Sequence, residues 1–164
     1  MNWGDNMIYI GKIVSTHGIK GELRILSDFE YKDRVFKVGN KLVINNKDYV
    51  IRSYRHHKNF EMVTLDDYHD INEVLFLLKN KVYFKESDLE LSDNEILDSD
   101  LIKYDVLSND GRVGKVLEVF FASPNNKVIR IMLDKEYLIP FNSPLLVRID
   151  KNKKQIIVDI IEGM

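Results

Sequence analysis

Hydrophobic and polar residues alternate with a period of two along most of the chain, the spacing of strands with one face buried. Residues 7–14 and 22–26 read as a strand pair around a glycine-rich turn. Residues 41–44, 49–54 and 62–65 continue the pattern, with polar turns at 45–48 and 56–59. One segment departs from it. Across 70–78, Ile71, Val74, Leu75 and Leu78 share a helical face, and Asp70 followed by Glu73 has the form of a capping box. A short helix plugging one barrel end is expected there, and 81–84 returns as a strand.

The second half is strands throughout: 104–107, 112–120, 127–133, 136–139, 146–149 and 155–160. Asp110-Gly111 is a strong hairpin signal, since glycine accepts a positive φ without steric cost. About six short strands per half, joined by tight turns, predict an all-β chain of two small β-barrels in tandem.

Charge supplies the division between them. The net charge of −2 conceals residues 86–100, which hold seven acids and no base, between flanks of net +3 and +2. A run of like charge resists compaction, so 87–99 reads as an acidic linker between a first domain, 1–86, and a second, 100–164. The alternative is a solvated loop of one domain. The 164 residues fit one ordinary domain or two small ones.

Composition narrows the chemistry. There is no cysteine, which excludes a disulfide scaffold, a thiolate zinc site and a cysteine nucleophile. The longest apolar run, 74–78, is far short of the ~20 residues of a membrane-spanning helix. The first six residues do not have the form of a secretory signal, so a cytoplasmic protein is expected. Nucleotide-loop, α/β-hydrolase and zinc-protease motifs are lacking, which favours binding over catalysis. His56 and His57 are adjacent and would point to opposite strand faces, so they do not chelate one metal; no metal and no cofactor are expected.

Two groups of residues stand out. The densest runs from Gly11 through His17, Gly18, Lys20 and Gly21 to Arg24. It reads either as a loop whose amides, with His17 and Lys20, meet a phosphate or a partner backbone, or as a bulged turn in which Gly18 and Gly21 supply positive φ. The second comprises Phe120, Asn125, Ile139, Pro140 and Phe141, an aromatic rim beside a proline that fits either protein docking or barrel-end packing. A basic loop at Lys151, Lys153 and Lys154 adds a weak indication of nucleic-acid binding.

These same residues carry a resemblance. The block His17-Gly18-Ile-Lys20-Gly21-Glu-Leu-Arg24 resembles the opening signature of the RimM family of bacterial ribosome maturation factors. Tyr54-Arg-His56-His57, Asp100-Leu101, Gly114-Lys-Val116, Asn125-Asn126, Ile139-Pro140-Phe141 and the ending Glu162-Gly163-Met164 follow in the family's order, the second half resembling its PRC-barrel domain. Two departures are visible: Ile96-Leu97 stand where aromatics are usual, and Lys103 where a glycine is usual.

The resemblance implies a non-enzymatic assembly factor with a translation-factor-like first barrel. It implies binding to a precursor of the small ribosomal subunit, to ribosomal protein nineteen of that subunit and to nearby small-subunit rRNA. Separately, the short apolar runs speak against a membrane and nothing in the sequence demands a dimer, so a monomer is expected. His17, Gly18, Lys20, Gly21 and Arg24 are then the candidate partner or RNA site, and Phe120, Asn125, Ile139, Pro140 and Phe141 the candidate ribosomal-protein site. The rival readings are a hydrolase using His17 with a carboxylate such as Glu22, and a PRC-barrel adaptor unrelated to ribosomes.

Overall fold

The structure, a computed structural model, describes residues 6–93 and 95–164. The chain divides into two compact units, Met1–Leu91 and Ser92–Met164.

The first unit is built on a closed six-stranded barrel. Its strands are β1 (Met7–His17), β2 (Glu22–Leu26), β3 (Lys41–Ile44), β4 (Lys47–His57), β5 (Phe60–Leu65) and β6 (Lys81–Lys85). The spatial order is β1-β2-β5-β4-β3-β6, and β6 pairs back onto β1 to close it. Inward positions are apolar and fully buried: Ile10, Leu23, Ile25, Val63, Val82 and Phe84 among them. Each such side chain contributes roughly 1.5–3 kcal/mol relative to exposure. Asn45 and Asn46, with φ of 52° and 63°, form the two-residue β3–β4 turn, a backbone that asparagine tolerates better than most residues.

The 70–78 segment forms, but not as one α-helix. A single turn, α2 (Ile71–Val74), tightens into a 3-10 turn at Leu75–Leu77. At three residues per turn, positions 74 and 77 align, so Val74 and Leu77 are buried while Leu75 and Phe76 are about half exposed. Asp70 caps the turn by accepting from the Asn72 amide at 2.7 Å, and the Glu73 carboxylate reaches the amide of His69 rather than that of Asp70. A further turn, α1 (Lys32–Val35), has no hydrophobic period of its own and buries Val35 alone.

The second unit is a six-stranded sheet. Its strands are β7 (Asp105–Ser108), β8 (Val113–Ser123), β9 (Asn126–Met132), β10 (Glu136–Pro140), β11 (Leu146–Asp150) and β12 (Gln155–Val158), in the order β10-β9-β8-β7-β12-β11. All its pairings are antiparallel except β7 with β12. One core of Tyr104, Val106, Val116, Ile129, Ile131, Tyr137, Ile139, Ile156 and Val158 lies against it. At Gly114 a Cβ would stand 1.7 Å from the Met132 carbonyl, so only glycine permits that approach of β8 to β9.

The acidic stretch is anchored at both ends, unlike the solvated linker expected over 87–99. On the first unit, the Glu86 amide donates to the Asn6 carbonyl and Arg34 Nη1 to the Glu90 carbonyl. On the second, Lys151 Nζ donates to the Ser92 carbonyl, and Ile96 and Leu97 are buried just before α3 (Asp98–Leu101). The apolar residues among the acids fix the chain despite its charge. Ile96 and Leu97 therefore fill core.

Candidate functional site

The first candidate region is the turn between β1 and β2. Gly18 (φ +71°) and Gly21 (φ +86°) take the left-handed conformation that lets the turn fold back. Gly21 is buried, and a Cβ there would meet the Asp70 carbonyl at 3.1 Å. The Ile71 amide donates to the Ile19 carbonyl at 2.9 Å. The helix start thus braces the turn from beneath and holds Ile19, 80% exposed, at its tip beside the exposed Lys20.

Arg24 organises the exposed side. Its guanidinium donates to the Thr16 carbonyl at 3.2 Å, to Ser15 Oγ at 3.3 Å and to His17 Nδ1 at 2.6 Å, and lies 5.9 Å from the centre of the Phe60 ring. A guanidinium has no lone pair to offer, so His17 Nδ1 accepts and the imidazole proton sits on Nε2. Glu22 is held in a two-point pair by Arg55, whose Nε and Nη2 donate at 3.0 and 2.8 Å. The hydrogen bond from Arg55 pulls the Glu22 carboxyl below its ordinary value, against partial desolvation. A hydrolytic dyad of His17 with Glu22 finds no support here: each group is bonded to a different arginine.

Of the predicted residues, His17 and Arg24 are in contact, Lys20 and Gly18 are displayed, and Gly21 is a buried support rather than a contact residue. Arg55, Phe60 and Asp70 complete the region. Their involvement depends on the β2-β5-β4 strand order and on where the helix docks, neither of which local spacing reveals.

Near the start of β5, Glu61 is 2% exposed. It accepts from the Tyr54 hydroxyl, lies 2.8 Å from His56 Nδ1 and stands 3.9 Å from Lys32 Nζ. Burial, then the bond to Glu61, pushes the Tyr54 hydroxyl far above its ordinary value. Sequence spacing had His56 as a turn histidine; β4 instead extends through His57 and the turn is Lys58-Asn59.

In the second unit the five predicted residues do not form one patch. Phe120, Val128 and Pro140 lie in one register row across β8, β9 and β10; Val119, Ile129 and Ile139 lie in the next. Neighbouring rows point to opposite faces of a pleated sheet. Ile139 is therefore wholly buried in the core and is not a contact residue. Phe120 is half-buried under Arg130, whose guanidinium carbon lies 5.7 Å from the ring centre. Asn125 is exposed in the β8–β9 turn. Phe141 is half-buried beside Lys127, whose Nζ is 4.8 Å from the ring centre and which pairs with Asp98. Phe121, not among the predicted residues, is the more exposed neighbour at 54%. Among the described residues no cluster of His, Asp and Glu can hold a metal, and no helix is long and apolar enough to cross a membrane.

A closed β-barrel joined to a six-stranded β domain, with side chains displayed on turns and sheet faces, defines a two-domain β protein. Comparison with known proteins makes the class specific: residues 8–89 match the RimM N-terminal domain and residues 93–164 the PRC-barrel domain. The ribosome maturation factor RimM of Staphylococcus haemolyticus is 33% identical over 164 residues, covering 96% of this chain and 98% of its own length; that of Staphylococcus saprophyticus is 34% identical over 166 residues with the same coverage. A RimM crystal structure from Pseudomonas aeruginosa aligns over 97% of this chain and 100% of its own at 20% identity and a TM-score of 0.47. The solution structure of the RimM N-terminal domain from Thermus thermophilus aligns over 52% of this chain and 96% of its own at 18% identity and a TM-score of 0.45. The chain belongs to the RimM family. The resemblance read from the His17–Arg24 block and the later motifs holds across nearly the whole sequence.

Proposed function

We propose that this chain acts by binding in the maturation of the small ribosomal subunit. It would hold ribosomal protein nineteen and adjoining rRNA in a productive arrangement. The observation that carries this reading is the match of both halves to the two domains of a family whose curated members are named ribosome maturation factors.

The first barrel offers His17 Nε2–H, Lys20 and the exposed Ile19 on a turn braced by Gly21 and Asp70. A rigid turn loses little conformational entropy on binding, which favours affinity. The second domain offers Asn125, Phe120 with Pro140, and Phe141 with Phe121, but on two faces. A protein partner would therefore grip the edge of β10 and the β8–β9 turn rather than one flat patch. Such a factor needs only to bind the unfinished particle more tightly than the finished one.

Sedimentation of the tagged full chain through a gradient of ribosomal particles tests this. Co-migration with precursor small subunits in preference to mature ones is expected. Failure to travel with any small-subunit particle at low salt overturns it.

A further inference from the structure

The first barrel has a second surface, away from the His17 turn, where like charges are placed together. Lys12 on β1 is the direct cross-strand partner of Lys81 on β6. Directly opposed like charges destabilise a sheet. Both lysines are exposed, and neither forms an ion pair among the described residues. Nearby Lys79, held at φ +67°, is likewise exposed and unpaired. Asp48 does not relieve them, since it pairs with Lys85 at 3.0 Å.

Next to this pair along the same two strands stand Tyr9 and Tyr83, also cross-strand partners. Their rings meet edge to face with centres 5.8 Å apart, and Tyr9 is 49% exposed. An exposed ring fixed by a second ring presents an open π face without having to be ordered first.

Alongside runs a groove. Among the described residues β3 and β6 pair at Val43 with Tyr83 alone. The gap, about 450 Å³, is lined by Asn45, Asn46, Lys79, Asn80, Lys81 and Tyr83, without an acid. The asparagine amides both donate and accept, as the edges of nucleobases require.

Opposed cations, a displayed aromatic pair and an amide-lined groove occur together where the barrel ladder is at its weakest. We infer that this face of the first domain binds single-stranded RNA. Phosphates would lie along Lys12, Lys81 and Lys79, one base would stack on Tyr9, and neighbouring base edges would enter the Asn45–Asn80 groove. Single strands fit better than duplex, because a stacking ring and a narrow groove need unpaired bases. This inference deepens the ribosome-maturation reading by naming a partner surface that the reading itself does not supply.

The test is fluorescence anisotropy of the full chain with a labelled ten-nucleotide RNA of mixed sequence, titrated at several salt concentrations. Lys12→Gln/Lys81→Gln is expected to reduce the slope of log affinity against log salt by about 1.4, at ~0.7 per lost phosphate contact with a single strand. Tyr9→Ala is expected to weaken binding roughly 5- to 150-fold, the range for one stacked base, with little change in slope. Lys103→Gln, an exposed lysine of the second domain, should leave both unchanged. Absence of binding by the unaltered chain at low salt, an unchanged slope in Lys12→Gln/Lys81→Gln, or tighter binding of a duplex of the same sequence overturns the inference. So does a double variant that keeps RNA affinity but loses binding to purified ribosomal protein, which would make the surface a protein site. If the RNA fails to bind while the chain still sediments with precursor small subunits, this inference falls and the maturation reading stands.

Discussion

Ile139→Val separates packing from recognition at the proline-flanked end of β10. Ile139 has no exposed surface and packs with Ile129, Ile131 and Tyr137 in the core of the second unit. Removing one methylene forfeits about 0.8 kcal/mol of transfer free energy, and incomplete closure of the void brings typical Ile→Val losses to about 0.5–1.5 kcal/mol. A unit of about 73 residues has a stability of roughly 4–11 kcal/mol, so the variant remains folded. Hydrogen exchange of the full chain, followed by mass spectrometry on peptides from β9 and β10, reads the loss directly. Their slowest amides should exchange roughly 2- to 12-fold faster, the factor equivalent to that free energy. Association with small-subunit precursors should be unchanged. An unchanged exchange rate combined with lost association would mean that Ile139 meets a partner and that its burial has been misjudged.

Further outcomes follow from the same structure. Gly21→Ala should lower the urea midpoint of the first unit, because a left-handed alanine costs about 1–2 kcal/mol and its Cβ also presses on the Asp70 carbonyl; a midpoint equal to wild type would refute the bracing role. Glu61→Ala should cost about 2–4 kcal/mol in urea unfolding by leaving the Tyr54 hydroxyl without its acceptor and opening a void, whereas Glu61→Gln, which keeps an acceptor, should cost less. In the second unit, hydrogen bonds from Arg112 and then Ser108 hold the Asp110 carboxyl far below its ordinary value, and the Tyr137 hydroxyl, with Arg112, lowers Asp134. Carboxyls depressed on folding stabilise above their unfolded value, near pH 4, and lose that contribution as pH falls through the folded one. Arg112→Gln should therefore lower stability most at neutral pH, and the gap from wild type should narrow as urea unfolding is repeated toward pH 2; a gap constant with pH would contradict this.

The strands were legible because one-sided burial imposes a period of two, and Lys41–Ile44 matches its expected span residue for residue. The Asp70 cap was legible for a similar reason: capping is decided within three residues. What escaped was non-local. Ile139 and Phe141 read as parts of an aromatic rim, yet whether a strand residue faces core or solvent depends on register with β9, set by the whole sheet. The acidic stretch read as solvent-borne because charge dominates its composition, while four apolar residues, Leu89, Leu91, Ile96 and Leu97, decide where the chain adheres. Lys12 and Lys81 are 69 positions apart, and only closure of the barrel makes them neighbours.

The parallel joining of β7 to β12 has a consequence for synthesis. Asp105 faces Gln155, and β12 also carries the edge strand β11. While the polypeptide is being made, β7 through β10 can pair as they emerge, but one side of β7 stays bare until some fifty more residues have been added. An unpaired strand edge invites adhesion to other nascent chains, and contacts so distant in sequence form slowly. The first barrel has no such wait after β6, since that strand seals it. During translation one half can be finished while the other still carries an open seam, making the carboxyl-terminal half the more dependent on rapid release or on chaperones.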